Sequence, residues 1–457
     1  MKKVSYLTLL AHCILLGAPY IKAQNSPELY SWLQNTTGIM GRHYVAGNST
    51  PIQDNVLANV QTVQYSDNWV YVSTKGIPAY ITGPFQDGNP SQATNQNAIF
   101  KISRFPVQNT GTPTNTTGGN IGVFINGVAL FDYRDGVSWK NSTNSLAGGP
   151  LMGMGDGVWN RDAVVGERLG FDCAKAHPAM GNYHHHQNPS AFGLDLDVIS
   201  NVCDLYASDG LYAIDSAQHS PLLGYTYDGF PIYGAYAYKN ADGTGGITRM
   251  KSSYTLRNIT TRTTYASGAS VTAGPPVSAT YPLGYFREDY QYNPTSAATP
   301  DYLDEHNGRF CITPEYPNGI YCYFTTVNEN WNSAYPYVVG PTFYGTKTAS
   351  KVTTIGEAVQ TFAPIITNTN SVENAENTLV TYPNPANDVI GIQWKNVNTI
   401  NTTIELYDLS GKLISVSEMK QGSSLAYFDT RNLYNGEYII RVKIGKELIS
   451  KRISVQH

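Results

Sequence analysis

The chain has 457 residues, of which only 14% are charged, and a formal net charge of -4. That length allows two or three domains around a large core, and the lack of any basic block argues against nucleic acid as a partner. Tyr (34 residues), Gly (42) and Pro (25) are abundant, a mix of pleat-filling aromatics and turn formers expected of a β-rich, loop-rich exported protein.

At the N-terminus, Lys2 and Lys3 precede an apolar run from Val4 to about Gly17, and Ile21-Lys22-Ala23-Gln24 offers a cleavage point after Ala23. The run is too short to span a bilayer comfortably, so residues 1–23 read as a signal peptide. No later stretch is apolar for long enough to predict a transmembrane segment. Cys13 would leave with the leader, and Cys173, Cys203, Cys311 and Cys322 would then meet an oxidising compartment, where disulfides are favoured. Local pairing is expected, Cys173 with Cys203 and Cys311 with Cys322, and metal ligation by cysteine is the competing reading.

Residues 24–365 read as one large, loop-rich, antiparallel β central domain. Short alternating runs such as Trp69-Val70-Tyr71-Val72-Ser73 are separated by Gly, Pro and Asn turns. The clearest hairpin runs from Ile121 to Phe131 with Asn126-Gly127 at its centre. The glycine-rich passage from Gly148 to Gly157 is too loosely spaced for a phosphate loop and reads as an ordinary surface loop.

The densest chemistry lies in Gly181-Asn182-Tyr183-His184-His185-His186, with His177-Pro178 just upstream. In an extended strand, side chains alternate faces. His184 and His186 then share one face, while Tyr183 and His185 point to the other. Neutral imidazole is the commonest biological metal ligand, so the His-x-His pair predicts a site for a divalent ion, with zinc or copper the expectation. Two imidazoles alone hold metal weakly. His177 and His219 are the candidates to complete the set, and Asp172, Asp228 and Tyr183 are expected to support it, Asp172 by orienting an imidazole. The bland reading is a histidine pair hydrogen-bonded inside a tyrosine-rich sheet, and His177-Pro178 and His219-Ser220-Pro221 also suit plain turns. No His-Glu-x-x-His or Gly-x-Ser-x-Gly signature is present.

A related order of residues recurs downstream. Asp172 followed by Tyr183, His184 and His186 is echoed by Asp304 followed by Tyr321, Cys322 and Phe324. This predicts a degenerate internal repeat whose second copy has lost its imidazoles. Residues 366–380 turn to Thr, Asn, Ser and Glu and read as a linker. Beyond it, residues 381–457 show alternating strands, among them Ile404-Glu405-Leu406-Tyr407-Asp408 before the turn Leu409-Ser410-Gly411, expected to form a small Ig-like β-sandwich.

Two resemblances follow from these residues. Tyr382-Pro383-Asn384-Pro385, Leu406-Tyr407-Asp408-Leu409-Ser410-Gly411, Asn435-Gly436-Glu437-Tyr438 and the terminal Lys451-Arg452-Ile453-Ser454-Val455 resemble the C-terminal sorting domain of type IX secretion cargo. That resemblance implies the type IX machinery as a partner and release or attachment at the cell surface. Residues 120–345 resemble the YHYH family through Asp172-Cys173, His177-Pro178, Gly181, Tyr183-His184-His185-His186 and the block from His219 to Gly234. His185 stands where that motif has its second tyrosine, and the family implies no settled chemistry.

Two functional readings stand. One is a secreted metalloprotein, including a metal-dependent enzyme; the other is a surface binding or structural protein whose histidines only stabilise a loop.

Overall fold

In the computed structural model the described residues are 26–85, 92–149, 155–294, 299–363, 379–394, 402–408, 412–421, 423, 425–444 and 447–457. The predicted leader, the turn at Leu409-Ser410-Gly411 and residues 366–378 of the predicted linker lie outside them. The chain divides into two units, residues 1–362 and 363–457. Both are mainly β.

The first unit is organised by one eight-stranded sheet. Its strands are β1 (Asn120–Phe124), β2 (Ala129–Phe131), β3 (Ala176–Ala179), β4 (Asn182–His185), β5 (Leu222–Thr226), β6 (Pro231–Tyr233), β7 (Gly308–Cys311) and β8 (Ile320–Phe324). The spatial order is β3-β4-β2-β1-β5-β6-β8-β7. Read outward from the central β1/β5 pair, both halves have the same connectivity, so the predicted repeat is a pseudo-twofold within one sheet. Each half pairs two hairpins, and the join between them is parallel, β4 with β2 and β8 with β6. Parallel neighbours need long crossovers, and the segments between β2 and β3 and between β6 and β7 supply them. The sheet is therefore mixed rather than purely antiparallel.

The β1–β2 hairpin turns at Asn126-Gly127 as the sequence predicts. Gly127 has φ +82°, and its N–H donates to Phe124 O at 2.8 Å. A side chain there would collide with Thr74. The corresponding turn of the other half is Asp228-Gly229, with Gly229 at φ +88°.

Register fixes the correspondence residue by residue. Asp172 Oδ1 accepts from the N–H groups of Ala174 (3.0 Å) and Ala176 (3.3 Å), as Asp304 Oδ1 does from His306 (2.9 Å) and Gly308 (3.1 Å). Lys175 and Asn307 take the same left-handed turn position, at φ 61° and 67°. Across the ladder, His177 faces His184 where Arg309 faces Cys322.

A five-stranded sheet (Ser350–Val352, Ala98–Ser103, Trp69–Thr74, Val60–Tyr65 and Gln360–Phe362, in that order) shares a core with the first. Val63, Val72, Phe100 and Ile102 join Val123, Leu130, Tyr225, Ile232 and Tyr323 in it, all 2% exposed or less. Burying such side chains contributes roughly 1.5–3 kcal/mol each.

Cys173 and Cys203 form a disulfide. The second predicted bridge is absent: Cys311 and Cys322 are buried free thiols. In the β7–β8 ladder Cys311 pairs with Ile320 and Cys322 with Arg309, so the two cysteines are diagonal rather than directly opposite, and the Cys322 thiol lies 3.5 Å from Ile320 O.

The second unit stacks a three-stranded sheet (Leu379–Tyr382, Val389–Trp394, Leu425–Asp429) on a four-stranded one (Leu413–Met419, Thr402–Asp408, Gly436–Ile444, Glu447–Val455). Ile390, Ile392, Ile404, Leu406, Ile440 and Ile453 fill its own core. This is the expected Ig-like sandwich, and its first strand begins at Leu379, inside the predicted linker span.

Candidate metal centre

Strand β4 sorts its side chains to two faces. On one, Tyr183 and His185 enter an aromatic layer. The Tyr183 hydroxyl donates to Asp172 Oδ2 at 2.8 Å, and Tyr80 Oη lies 2.9 Å from His185 Nε2. His185 is fully buried, and that burial pushes its imidazole down to about 3, so it is neutral.

On the other face His184 meets His177 across the β3–β4 ladder, and His186 follows just past the strand end. One nitrogen of each of His177, His184 and His186 lies within 4.8 Å of the others. All three residues are 5% exposed or less. His184 Nδ1 sits 2.8 Å from Asn182 O, and His186 Nδ1 sits 2.5 Å from Asp132 O. A carbonyl oxygen only accepts, so both Nδ1 atoms carry hydrogen, and Nε2 of each ring presents a lone pair whenever that ring is neutral. Those two Nε2 atoms are 3.0 Å apart. Burial, then the neighbouring His186 and His177, holds the His184 imidazole well below its ordinary value. Two lone pairs aimed at each other repel unless a proton or a metal ion lies between them.

Glu167 closes the cluster, and the sequence reading missed it. Its Oε2 is 3.2 Å from His177 Nε2 and 3.3 Å from His186 Nε2. Although burial alone would raise it, the imidazoles of His177 and His186 beside it outweigh burial and hold this carboxyl well below its usual range. Glu167 ends the short helix Ala163–Glu167, which starts where Asp162 Oδ1 accepts from Val164 N at 2.9 Å and Val165 N at 3.3 Å. The Asp-Ala-Val-Val helix cap is the one local signal that could have located it. Aromatic walls complete the setting. Phe131 stacks on His184 with ring centroids 3.8 Å apart, and Phe171 meets His177 edge-on at 5.0 Å.

Tetrahedral coordination at metal–nitrogen distances of about 2.0–2.1 Å puts ligand atoms roughly 3.3 Å from one another. The edges between His184 and His186, His177 and Glu167, and His186 and Glu167, at 3.0, 3.2 and 3.3 Å, are of that size. His177, His184 and His186 therefore form a group that could hold a small divalent ion, with Glu167 against two of the three rings.

Four other predicted participants lie elsewhere. His219 belongs to the opposite half of the sheet, where its Nδ1 bonds Ser220 O at 2.8 Å and its ring packs on Tyr233 and Tyr238. It precedes β5, the counterpart of β1, and so cannot reach β4. Asp228 sits in the β5–β6 turn, accepting from Tyr323 Oη at 2.6 Å and Gly345 N at 2.8 Å. Asp172 orients no imidazole. Its oxygens take Gly83 N, Tyr183 Oη and the turn amides, because the β3 turn needs an acceptor there. Tyr183 likewise supports the strand from the face away from the cluster.

A family model described as YHYH protein matches residues 99–337, more than half of the chain. A second, described as Secretion system C-terminal sorting domain, matches residues 380–456. No curated protein matches the chain.

Proposed function

The chain belongs to the YHYH protein family, and from that membership and the histidine geometry we propose that it is an exported metalloprotein holding one divalent transition-metal ion. The sorting tail directs it through type IX secretion to the cell surface or the extracellular space. Among the described residues no helix is long and apolar enough to cross a membrane.

In this reading Nε2 of His184 and His186, a ring nitrogen of His177 and Oε2 of Glu167 bind the ion. Zinc and copper both accept imidazole and carboxylate donors. The observation that carries the reading is the 3.0 Å approach of two Nε2 atoms whose Nδ1 partners are both backbone carbonyls. Three neutral donors and one anion leave a divalent ion a net single positive charge, enough to polarise a bound water or ligand. Glu167 is the most exposed of the four side chains, at 21%, so solvent and ligands approach from its side.

Elemental analysis of untagged protein, purified without added metal, tests this directly. Stoichiometric zinc or copper, lost in the His184→Ala/His186→Ala variant, is the expected result. A metal-free protein that takes up neither ion, with folding unchanged in that variant, would mean that the histidines are structural only.

A further inference from the structure

The chain around the end of β2 braces the histidine cluster from several sides. Phe131, the last residue of β2, stacks on His184, and the Asp132 carbonyl oxygen lies 2.5 Å from His186 Nδ1. Tyr133 O accepts from Ala163 N at 2.8 Å, which seats the first residue of the helix that ends in Glu167. Asp135 adds an ion pair with Arg161, just ahead of that helix. The Asp135 side chain has no solvent exposure, and its Oδ1 accepts from Val137 N at 2.8 Å, so the anion is fixed in place.

Arg161 does more than reach across to Asp135. Its side chain lies against the helix at Gly166, where an added methyl group would stand 2.5 Å from Nε, 2.8 Å from Cδ and 3.0 Å from Cζ. No side chain fits there unless the guanidinium moves. Helices prefer alanine to glycine, so the guanidinium, and not the helix, accounts for glycine at this position. A helix of five residues is too short to be held by its own hydrogen bonds. Asp162 caps its start, whereas Glu167 at its end needs a hold from outside. Arg161 is pressed on the residue immediately before Glu167 and tied to a buried carboxylate, which supplies that hold.

We propose that Arg161, anchored by Asp135, is the positioning residue for Glu167, setting its carboxylate against His177 and His186 without itself binding the ion. This assignment rests on the metal-ion reading of the histidine cluster and extends it from the ligands to what holds one of them.

Chelator competition for zinc on the full chain tests it in Arg161→Met, Arg161→Lys and Gly166→Ala. Arg161→Met should weaken zinc binding about tenfold or more, the size typical of groups that orient a ligand. Arg161→Lys should recover most of that loss, because an ammonium can still pair with Asp135 while its stem lies on Gly166. Gly166→Ala should weaken binding by a similar factor, although alanine favours a helix. The cobalt-loaded Arg161→Met protein should show a visible spectrum altered by loss of a carboxylate oxygen. Wild-type affinity in Arg161→Met or Gly166→Ala, or a wild-type cobalt spectrum with only a lowered thermal transition, would overturn the assignment. A wild-type chain that takes up neither ion would end the metalloprotein reading instead, and the strap is then judged in metal-free crystals. There the Glu167 carboxylate of Arg161→Met should leave its place 3.2 Å from His177 Nε2, and an unmoved carboxylate would overturn the assignment.

Discussion

Asp172 and Asp304 hold equivalent places in the two halves of one sheet, each accepting a tyrosine hydroxyl at 2.8 Å, from Tyr183 and Tyr321 respectively. Each also takes the amides of its own hairpin approach. The scaffold is thus duplicated down to its hydrogen bonds, and only one copy has imidazoles at the positions of His177, His184 and His186.

Alanine at either aspartate strands a phenol and backbone amides in the interior, at roughly 1–3 kcal/mol per group. Asp172→Ala and Asp304→Ala should each destabilise the first unit by about 3 kcal/mol or more in urea unfolding. Only Asp172→Ala should also lower metal content, because its turn leads into the strand that bears His177. Equal metal loss in both variants would contradict the separation of roles.

Glu167→Gln keeps the size of the side chain and removes its charge. Metal affinity should fall at least 10- to 100-fold, the range seen for weaker perturbations of ligand shells, with far-UV circular dichroism unchanged. Competition with a chelator of known affinity measures it, and an unchanged affinity would remove Glu167 from the ligand set.

Acid acts on the two histidine faces in different ways. Protons compete with metal for imidazole lone pairs, so metal should be released as pH falls below the ordinary imidazole value near 6.5 and be gone well before about pH 4. His185 contributes separately, through stability. Its folded value is about 3 against about 6.5 unfolded, so below 6.5 the unfolded chain binds the extra proton. Stability in the metal-free protein then falls as pH drops through that window, by at most roughly 1.4 kcal/mol per unit from this residue. His185→Gln should flatten the slope of unfolding free energy against pH over that window, and an unaltered slope would show that His185 is not the neutral buried group described.

The cysteines separate by type. Cys173–Cys203 closes a 30-residue separation, and its removal should cost about 3–4 kcal/mol. Cys311 and Cys322 should be alkylated in the denatured, unreduced protein and resist reagent in the folded one, as buried thiols do. Mass spectrometry reads both.

Much of this was legible in the sequence. The alternation of Tyr183, His184, His185 and His186 states which rings share a face once the segment is extended, and the echo of Asp172 and Tyr183 in Asp304 and Tyr321 states the repeat. Glu167 escaped because nothing periodic ties it to residues 177–186; a helix cap and a crossover bring it there. His219 misled because chain proximity to β5 says nothing about which half of a folded-back sheet it faces. The diagonal offset of Cys311 and Cys322 is a matter of register, which spacing alone does not encode.

Leu379, Ile404, Leu406 and Ile453 close their apolar surface entirely among residues of the second unit, as Val72 and Ile232 do among those of the first. A protease acting between the two would sever an address label from its cargo without opening either interior. What travels outside the cell need be no longer than the body that does the work.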